Sequence, residues 1–437
     1  MTSTSETNRP EKLTTRESFR IMMGASRAYW LVNLVNFADG IAYFGILNLL
    51  TLFIRDQLGL SDHMTGVAVS VFTGAVTLFM FLGGFVSDRL GVRKALLYSL
   101  LFLLAGRVLL TSSPLFDAAG VMLWSSLALM ALGTGVLQPA LYAGAKEFSD
   151  PRTSAISYSL IYAVMNFGIV LESYASPFIR ERGGIEAVFW VMAAVNLTAL
   201  SALLIFFTRK VEQRDRVVEP ERHTELVPLR QRIKSLPILD SRFMAFIFVL
   251  LPVRTMFAHQ WLTMPHYIMR CFPEAVGTRY EWFQGLNPLI ITFAVPLVAA
   301  FTQRVNIILM MVIGTFVSAS ATFLLAPEPA LSLLIGYILV FSIGEAIWSS
   351  RFYEYIAELA PAGRVGAYMG LAGIPWFLAK FTTGFYSGIM LEKYIPATGS
   401  QASGTLWTIY GIIALASPVG LILMKRWMEK PREGAQP

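Results

Sequence analysis

The chain has a single cysteine, Cys271, in 437 residues. That excludes an internal disulfide framework and a thiolate metal cluster. Charge is nearly as scarce: Asp, Glu, Lys and Arg make up 14% of the chain, against roughly 25% for a typical soluble domain. Signatures of catalysis are missing too. No nucleophile–base pair, metal-ligand cluster or phosphate-cradling loop stands out, so neither an enzyme nor a resident cofactor or metal is expected. The isolated Gly133-Thr134-Gly135 sits in an apolar stretch, where small residues serve helix packing. Residues 1–28 are polar and basic and lack the short apolar core of a cleavable signal peptide.

What is abundant is apolar sequence. The chain is 55% hydrophobic, and apolar runs of about 20 residues, the length that crosses a hydrocarbon core, recur along nearly all of it. An all-α membrane protein with about twelve transmembrane helices follows. Six runs lie near 29–54, 64–87, 94–113, 119–144, 154–179 and 186–208. Six more lie near 242–269, 282–302, 305–325, 330–357, 365–390 and 404–427. The expected organisation is an N-terminal segment 1–28, a six-helix bundle 29–208, a polar linker 209–241, a second bundle 242–427 and a tail 428–437. A faint repeat supports two halves: GGFVSDRLGVRK follows span two and PLVAAFTQRVNI follows span eight.

The net charge of +7 needs no nucleic acid; basic loops facing the cytoplasm account for it. Lys and Arg gather before span one, at Arg89, Arg93 and Lys94 between spans two and three, in the linker, and after the last span. The opposite loops carry few. Both termini are therefore expected in the cytoplasm, with the protein a monomer in a bacterial inner membrane, contacting bilayer, protons and a small-molecule substrate.

GGFVSDRLGVRK resembles the loop signature of the major facilitator superfamily, G-x-x-x-D-R-x-G-x-R-[KR], with Gly84, Asp88, Arg89, Gly91, Arg93 and Lys94 in place. Four further stretches resemble proton-dependent oligopeptide transporters. These are ALGTGVLQPALYAGAKEF (131–148), IYAVMNFGIVL with Tyr162, Asn166 and Gly168, FQGLNPLIITFAVPL with Asn287, Pro288 and Pro296, and IGEAIWSSRFYEYIAELAP with Glu345 and Glu354. The resemblance implies two bundles rocking around a central site. It also implies gating by Gly84, Asp88, Arg89 and Arg93, with Gly84 allowing close helix packing and Asp88 facing the N-terminus of span eleven in one conformation. The departures are equally plain. The family's span-one E-x-x-E-R-F-x-Y-Y-G reads Asn36-Phe-Ala-Asp39-Gly40-Ile-Ala-Tyr43-Phe44-Gly45, its span-four lysine is Gln138, and its span-seven pair is His259-Gln260.

Ionisable groups inside a membrane are functional by default. Asn36, Asp39 and Tyr43 share one helix face, and Asp39 is read as a proton or substrate group. His259 and Glu345 complete the expected proton carriers. The expected substrate-binding residues are Asn36, Tyr43, Gln138, Tyr162, Asn166, Arg254, Gln260, Asn287, Glu345, Arg351 and Lys380. Arg254 either grips an anion or neutralises Asp39 or Glu345; Lys380 either faces the cavity or snorkels. Glu172 and Arg107, at similar heights, read as a structural pair. Trp348, Trp376 and Tyr353 read as packing or as pocket walls. The expected function is proton-coupled transport of a small polar or zwitterionic, peptide-like solute. The alternatives are a proton-coupled drug or metabolite efflux antiporter and a non-transporting receptor on the same fold.

Overall fold

A computed structural model describes residues 20–21, 23–150, 154–217, 239–302, 305–359, 368 and 373–429. Its elements are helical throughout the described residues. We number the long helices α1 (Arg27–Asp56), α2 (Asp62–Leu90), α3 (Val92–Ser112) and α4 (Ala119–Phe148). The segment Ser154–Phe206 holds α5 (154–182) and α6 (185–206), separated by non-helical backbone at Gly183 and Gly184, where Gly184 takes φ 72°. The second half comprises α7 (Ser241–Leu262), α8 (Tyr280–Phe301), α9 (Ile307–Ala321), α10 (Leu331–Leu359), α11 (Ile374–Tyr394) and α12 (Ser403–Met428). Among the described residues nine segments are long and apolar enough to span a bilayer, and one of them, Leu160–Phe206, carries both α5 and α6. The expectation of about twelve spans is consistent with this set.

The same packing scheme occurs twice. α2 packs on α4, α3 on α4 and α6, and α1 on the α5–α6 segment; six helices later, α8 packs on α10, α9 on α10 and α12, and α7 on α11 and α12. The halves meet along two seams, α2 with α11 and α5 with α8, which that relation also exchanges. The buried apolar side chains of both halves belong to one continuous core.

Small residues set the closest crossings. A Cβ on Gly40 would stand 2.5 Å from the Met165 carbonyl oxygen, and one on Gly168 2.7 Å from that of Phe37, so α1 and α5 touch backbone to backbone. Gly133 meets α3 and Gly135 meets α2, as their spacing in an apolar helix implied. In the loop signature the expectation needs correcting. A Cβ on Gly84 would meet nothing within 4 Å; Gly83 is the residue pressed against Gly135. The α2 crossing with α4 therefore turns on the neighbouring glycine, about 100° around the helix.

The charged loop residues brace the first half. Arg93 donates its side-chain Nε to the Phe207 carbonyl, and its backbone N–H reaches Glu212 Oε1 at 3.3 Å. Arg89 is exposed, and the Asp88 side chain lies outside the described residues. The linker starts with the short helix Arg209–Asp215. Asp215 accepts the backbone N–H of Ala28 at 3.0 Å, tying the linker to the start of α1. Burial acts against that carboxylate, but the Arg214 hydrogen bond, the Ala28 N–H and nearby guanidiniums hold it below the usual range.

The hydrogen bonds and ion pairs joining the halves cluster at the end remote from the termini. Arg180 of α5 holds Glu281 of α8 through two bonds of 2.8 and 3.0 Å. Arg270, in the short helix Met264–Cys271 that extends α7, holds Asp62 of α2 at 2.8 and 3.0 Å. Tyr280 donates to the Asn48 carbonyl at 2.9 Å. The protein is closed at that end.

The α1–α5 contact generates a paired prediction. Gly40→Ala should cost about 1–3 kcal/mol, because backbone on both sides must shift. Gly84→Ala, adding a methyl to open space, should change stability by less than about 0.5 kcal/mol. Thermal unfolding midpoints of the two purified variants check this.

Candidate functional site

Two polar clusters lie inside the apolar helices, one in each half. The first is centred on Asp39 of α1, which is 5% exposed. Arg107 of α3, 1% exposed, approaches Asp39 Oδ1 at 3.5 Å and donates to Asn196 Oδ1 of α6 at 2.6 Å. Gln138 of α4 donates to Asp39 Oδ2 at 3.1 Å. The sequence had placed Asp39 as a cavity-facing proton or substrate group, and Arg107 with Glu172. Instead Asp39 and Arg107 pair with each other. Asp39 lies about 18 Å along α1 and Arg107 about 22 Å along α3, at 1.5 Å per residue, and a guanidinium stem spans that difference.

Glu172 takes a different partner. Its Oε2 accepts from Asn48 at 3.1 Å and from Ser173 at 3.3 Å. Asn36 donates to the Ile161 carbonyl at 2.6 Å, joining α1 to α5, while Asn166 donates to the Tyr162 carbonyl at 2.8 Å within α5. Tyr43 is part-buried with its ring against Phe44 and Phe72, and the Tyr162 side chain is exposed.

The second cluster joins α7, α8, α10 and α11. Asn287 of α8 donates to Glu345 Oε2 at 2.8 Å and to Ser342 Oγ at 3.0 Å. The charge of Arg254 acts on Glu345. The Arg254 guanidinium lies over three ring faces: Phe352 at 4.3 Å, Trp376 at 4.9 Å and Trp348 at 5.0 Å. Lys380 of α11 places its ammonium over Trp261 at 5.1 Å and over Trp376 at 5.6 Å. Trp376 is thus shared by both cations, and Trp348 and Trp376 serve as walls. Desolvated cation–π contacts of this kind are worth about 2 kcal/mol.

This cluster faces the boundary between the halves. Trp261 meets Phe44 of α1, with ring centroids 6.1 Å apart. Ser70 of α2 donates to the Phe381 carbonyl beside Lys380. Of the two readings of Lys380, the one facing inward fits this position. Gln260 donates to the Tyr337 hydroxyl at 2.7 Å, closing the wall between α7 and α10.

Two expected residues lie elsewhere. Arg351 donates to Thr302 Oγ1 at 2.9 Å and to the Thr302 carbonyl, and it pairs with Glu354. It closes the C-terminal end of α8, where free carbonyls attract a cation, and is committed there. His259 is 1% exposed, with Nδ1 2.8 Å from Thr263 Oγ1 and Nε2 3.1 Å from the Tyr386 hydroxyl. Its ring stacks on Tyr410 at 3.7 Å. With both nitrogens engaged by hydroxyls and one face covered, His259 ties α7 to α11 and α12. Sequence reasoning missed Asn196, Trp261 and the charged contacts of Arg180 and Arg270; a lone Asn or Trp in an apolar run carries no spacing signal, and the arginines read as sparse loop charges.

Residues 32–383 match the family model described as Major Facilitator Superfamily. The chain belongs to that superfamily. It is 22% identical to dipeptide and tripeptide permease A of Proteus mirabilis (strain HI4320), across 89% of this chain and 91% of the permease. It is 23% identical to dipeptide and tripeptide permease B of Salmonella typhimurium (strain LT2), across 92% and 96%. Among solved structures, an auto-inhibited POT family peptide transporter superposes with TM-score 0.76 at 15% identity, covering 94% of this chain and 99% of that one. A peptide transporter POT in complex with sulfate superposes with TM-score 0.75 at 17% identity, covering 94% and 98%. The protein is a multi-pass membrane transporter with the major facilitator fold.

The first cluster yields a stability prediction. Arg107→Met should lower stability by about 3–5 kcal/mol, because it leaves Asp39 buried without its cation. Adding Asp39→Asn should recover part of that loss. Thermal unfolding of the single and double variants measures the recovery.

Proposed function

We propose that this transporter couples a proton gradient to movement of a small polar or zwitterionic, peptide-like solute by alternating access, in a bacterial inner membrane with both termini cytoplasmic. Residues 29–208 and 242–427 act as the two bundles, rocking along the α2–α11 and α5–α8 seams. The observation that carries this reading is the second cluster: an acid, Glu345, with Asn287 as its donor, beside two cations held over aromatic faces at the boundary between the halves. Glu345 binds either a substrate amine or the transported proton. Lys380 and Arg254 draw an anionic group. Because Asp39 is closed on Arg107, the proton-coupling role rests on Glu345. The dipeptide and tripeptide permeases among its relatives support a peptide-like substrate.

One observation favours the second reading, export of drugs or metabolites by proton antiport. Gly40 stands where the related transporters place a carboxylate-gripping arginine, and the Met165 carbonyl leaves no space there for any side chain. A site lined by Trp261, Trp348 and Trp376 also suits an apolar cation.

In proteoliposomes loaded with an imposed proton gradient, uptake of radiolabelled dialanine should be driven by external acid. Glu345→Gln should cut that uptake at least about tenfold, a loss of about 1.4 kcal/mol of driving interaction. Wild-type rates in the variant refute the role of Glu345; accumulation only when the gradient is reversed selects the export reading.

A further inference from the structure

The contact at the closed end contains a histidine that none of the foregoing uses. His266 is 1% exposed. Its Nδ1 stands 3.1 Å from the Arg55 Nη1 of α1 and 3.2 Å from the Arg270 Nη2. Both neighbours are guanidiniums, which only donate. The Nδ1 is therefore an acceptor and carries no proton. One lone pair holds an arginine from each half.

The surrounding charges come from every element packed nearby, including exposed Glu274 of the short helix Glu274–Gly277. From α1 come Arg55 and Asp56, bonded to each other at 2.6 Å. From α2 come Asp62, bonded to Arg270, and His63, whose backbone N–H donates to Glu392 of α11 at 2.9 Å. Arg270 also donates to the Ile395 carbonyl at 2.6 Å. From α8 come Tyr280 and Glu281, the latter paired with Arg180. Two arginines face two aspartates around the imidazole, and a neutral ring leaves that set balanced.

We propose that His266 is a proton-binding site that latches the outer mouth: neutral, it bridges Arg55 and Arg270 and holds the mouth closed; protonated, it releases them. Protonation acts twice in the same direction. It removes the acceptor on Nδ1, and it places a third cation among two guanidiniums in a site with little water to screen it. Opening the mouth hydrates all three. The proton therefore binds more tightly to the open form, and by linkage acid shifts the population toward open. Neutral pH favours closed, and the closed form is lost as pH falls. The latch rests on the alternating-access reading only in that a mouth must open; it requires no knowledge of the solute.

Spin labels on Gln57→Cys and Ala275→Cys, in a Cys271→Ser background, report the gap across this end by pulsed electron–electron distance measurement in lipid nanodiscs. Both positions are exposed, one on each half. Lowering the pH from 7.5 to 5.0 should raise the ratio of long to short distances about tenfold, the change expected for a tenfold difference in proton affinity between the two forms. His266→Gln, whose amide oxygen accepts without titrating, should remain in the short form at both pH values. Arg55→Gln removes one repelling cation and should move the transition to higher pH. A His266→Gln variant that follows the wild-type pH course overturns the proposal, as does a wild type whose two distances interchange without any dependence on pH. A single fixed distance under every condition instead refutes opening itself, and with it alternating access.

Discussion

A charge inside a bilayer needs either a partner or a use, and most of this molecule can be read from which charges have partners. In the first half Asp39, Arg107, Gln138 and Asn196 satisfy one another across α1, α3, α4 and α6. An ion pair so deeply buried contributes little net stability, since desolvation offsets attraction. What it supplies is a fixed arrangement of four helices. In the second half Glu345 and Lys380 form no ion pair among the described residues, and the aromatic faces around them stabilise cations without discharging them. On the proposed reading, the half that is closed on itself is a frame, and the half that leaves charge available holds the solute.

The same constraint explains why the closed end is built from arginines and carboxylates. A gate between two rigid bundles must be strong when shut and cheap to open. Apolar contacts lose their full burial when parted, whereas an ion pair exchanges its partner for water at small net cost. Arg180 with Glu281 and Arg270 with Asp62 sit at the two seams, α5–α8 and the α2 side of α2–α11 respectively. Each therefore holds one seam, and on the proposed alternating-access reading opening that end parts both pairs.

Helix positions and the division into halves were legible because they follow from length and apolar content, which tertiary contacts do not override in a membrane. Asn287 and Glu345 were named through separate motifs on spans eight and ten; that they touch is seen only in the structure. Partner assignments were not legible. Matching Arg107 to Glu172 by height neglected the reach of the arginine stem, so the nearer carboxylate, Asp39, took it. Arg351 looked like a site residue because it shares a helix with Glu345, yet six residues of helix carry it about 9 Å further along, to the exposed carbonyls ending α8. Gly84 was named for packing that Gly83 performs; one residue is 100° of helix, and a motif does not say which glycine faces the neighbour.

Lys380 occupies the position where site and seam meet. Its ammonium lies over Trp261 and Trp376, while the carbonyl of the next residue, Phe381, receives the Ser70 hydroxyl of α2 across the α2–α11 seam. On the proposed reading, an anionic solute group arriving at Lys380 replaces ring quadrupoles with a full charge and draws the side chain off them. The backbone that carries Lys380 also carries the seam contact. A movement of α11 needed to follow the solute is thus a movement along the line where the halves slide. Arg254 sits over the same Trp376 ring from the α7 side. On the proposed reading, Lys380 is a cation through which occupancy biases which end of the transporter is open, since a ligand shifts an equilibrium only through contacts that differ between its states.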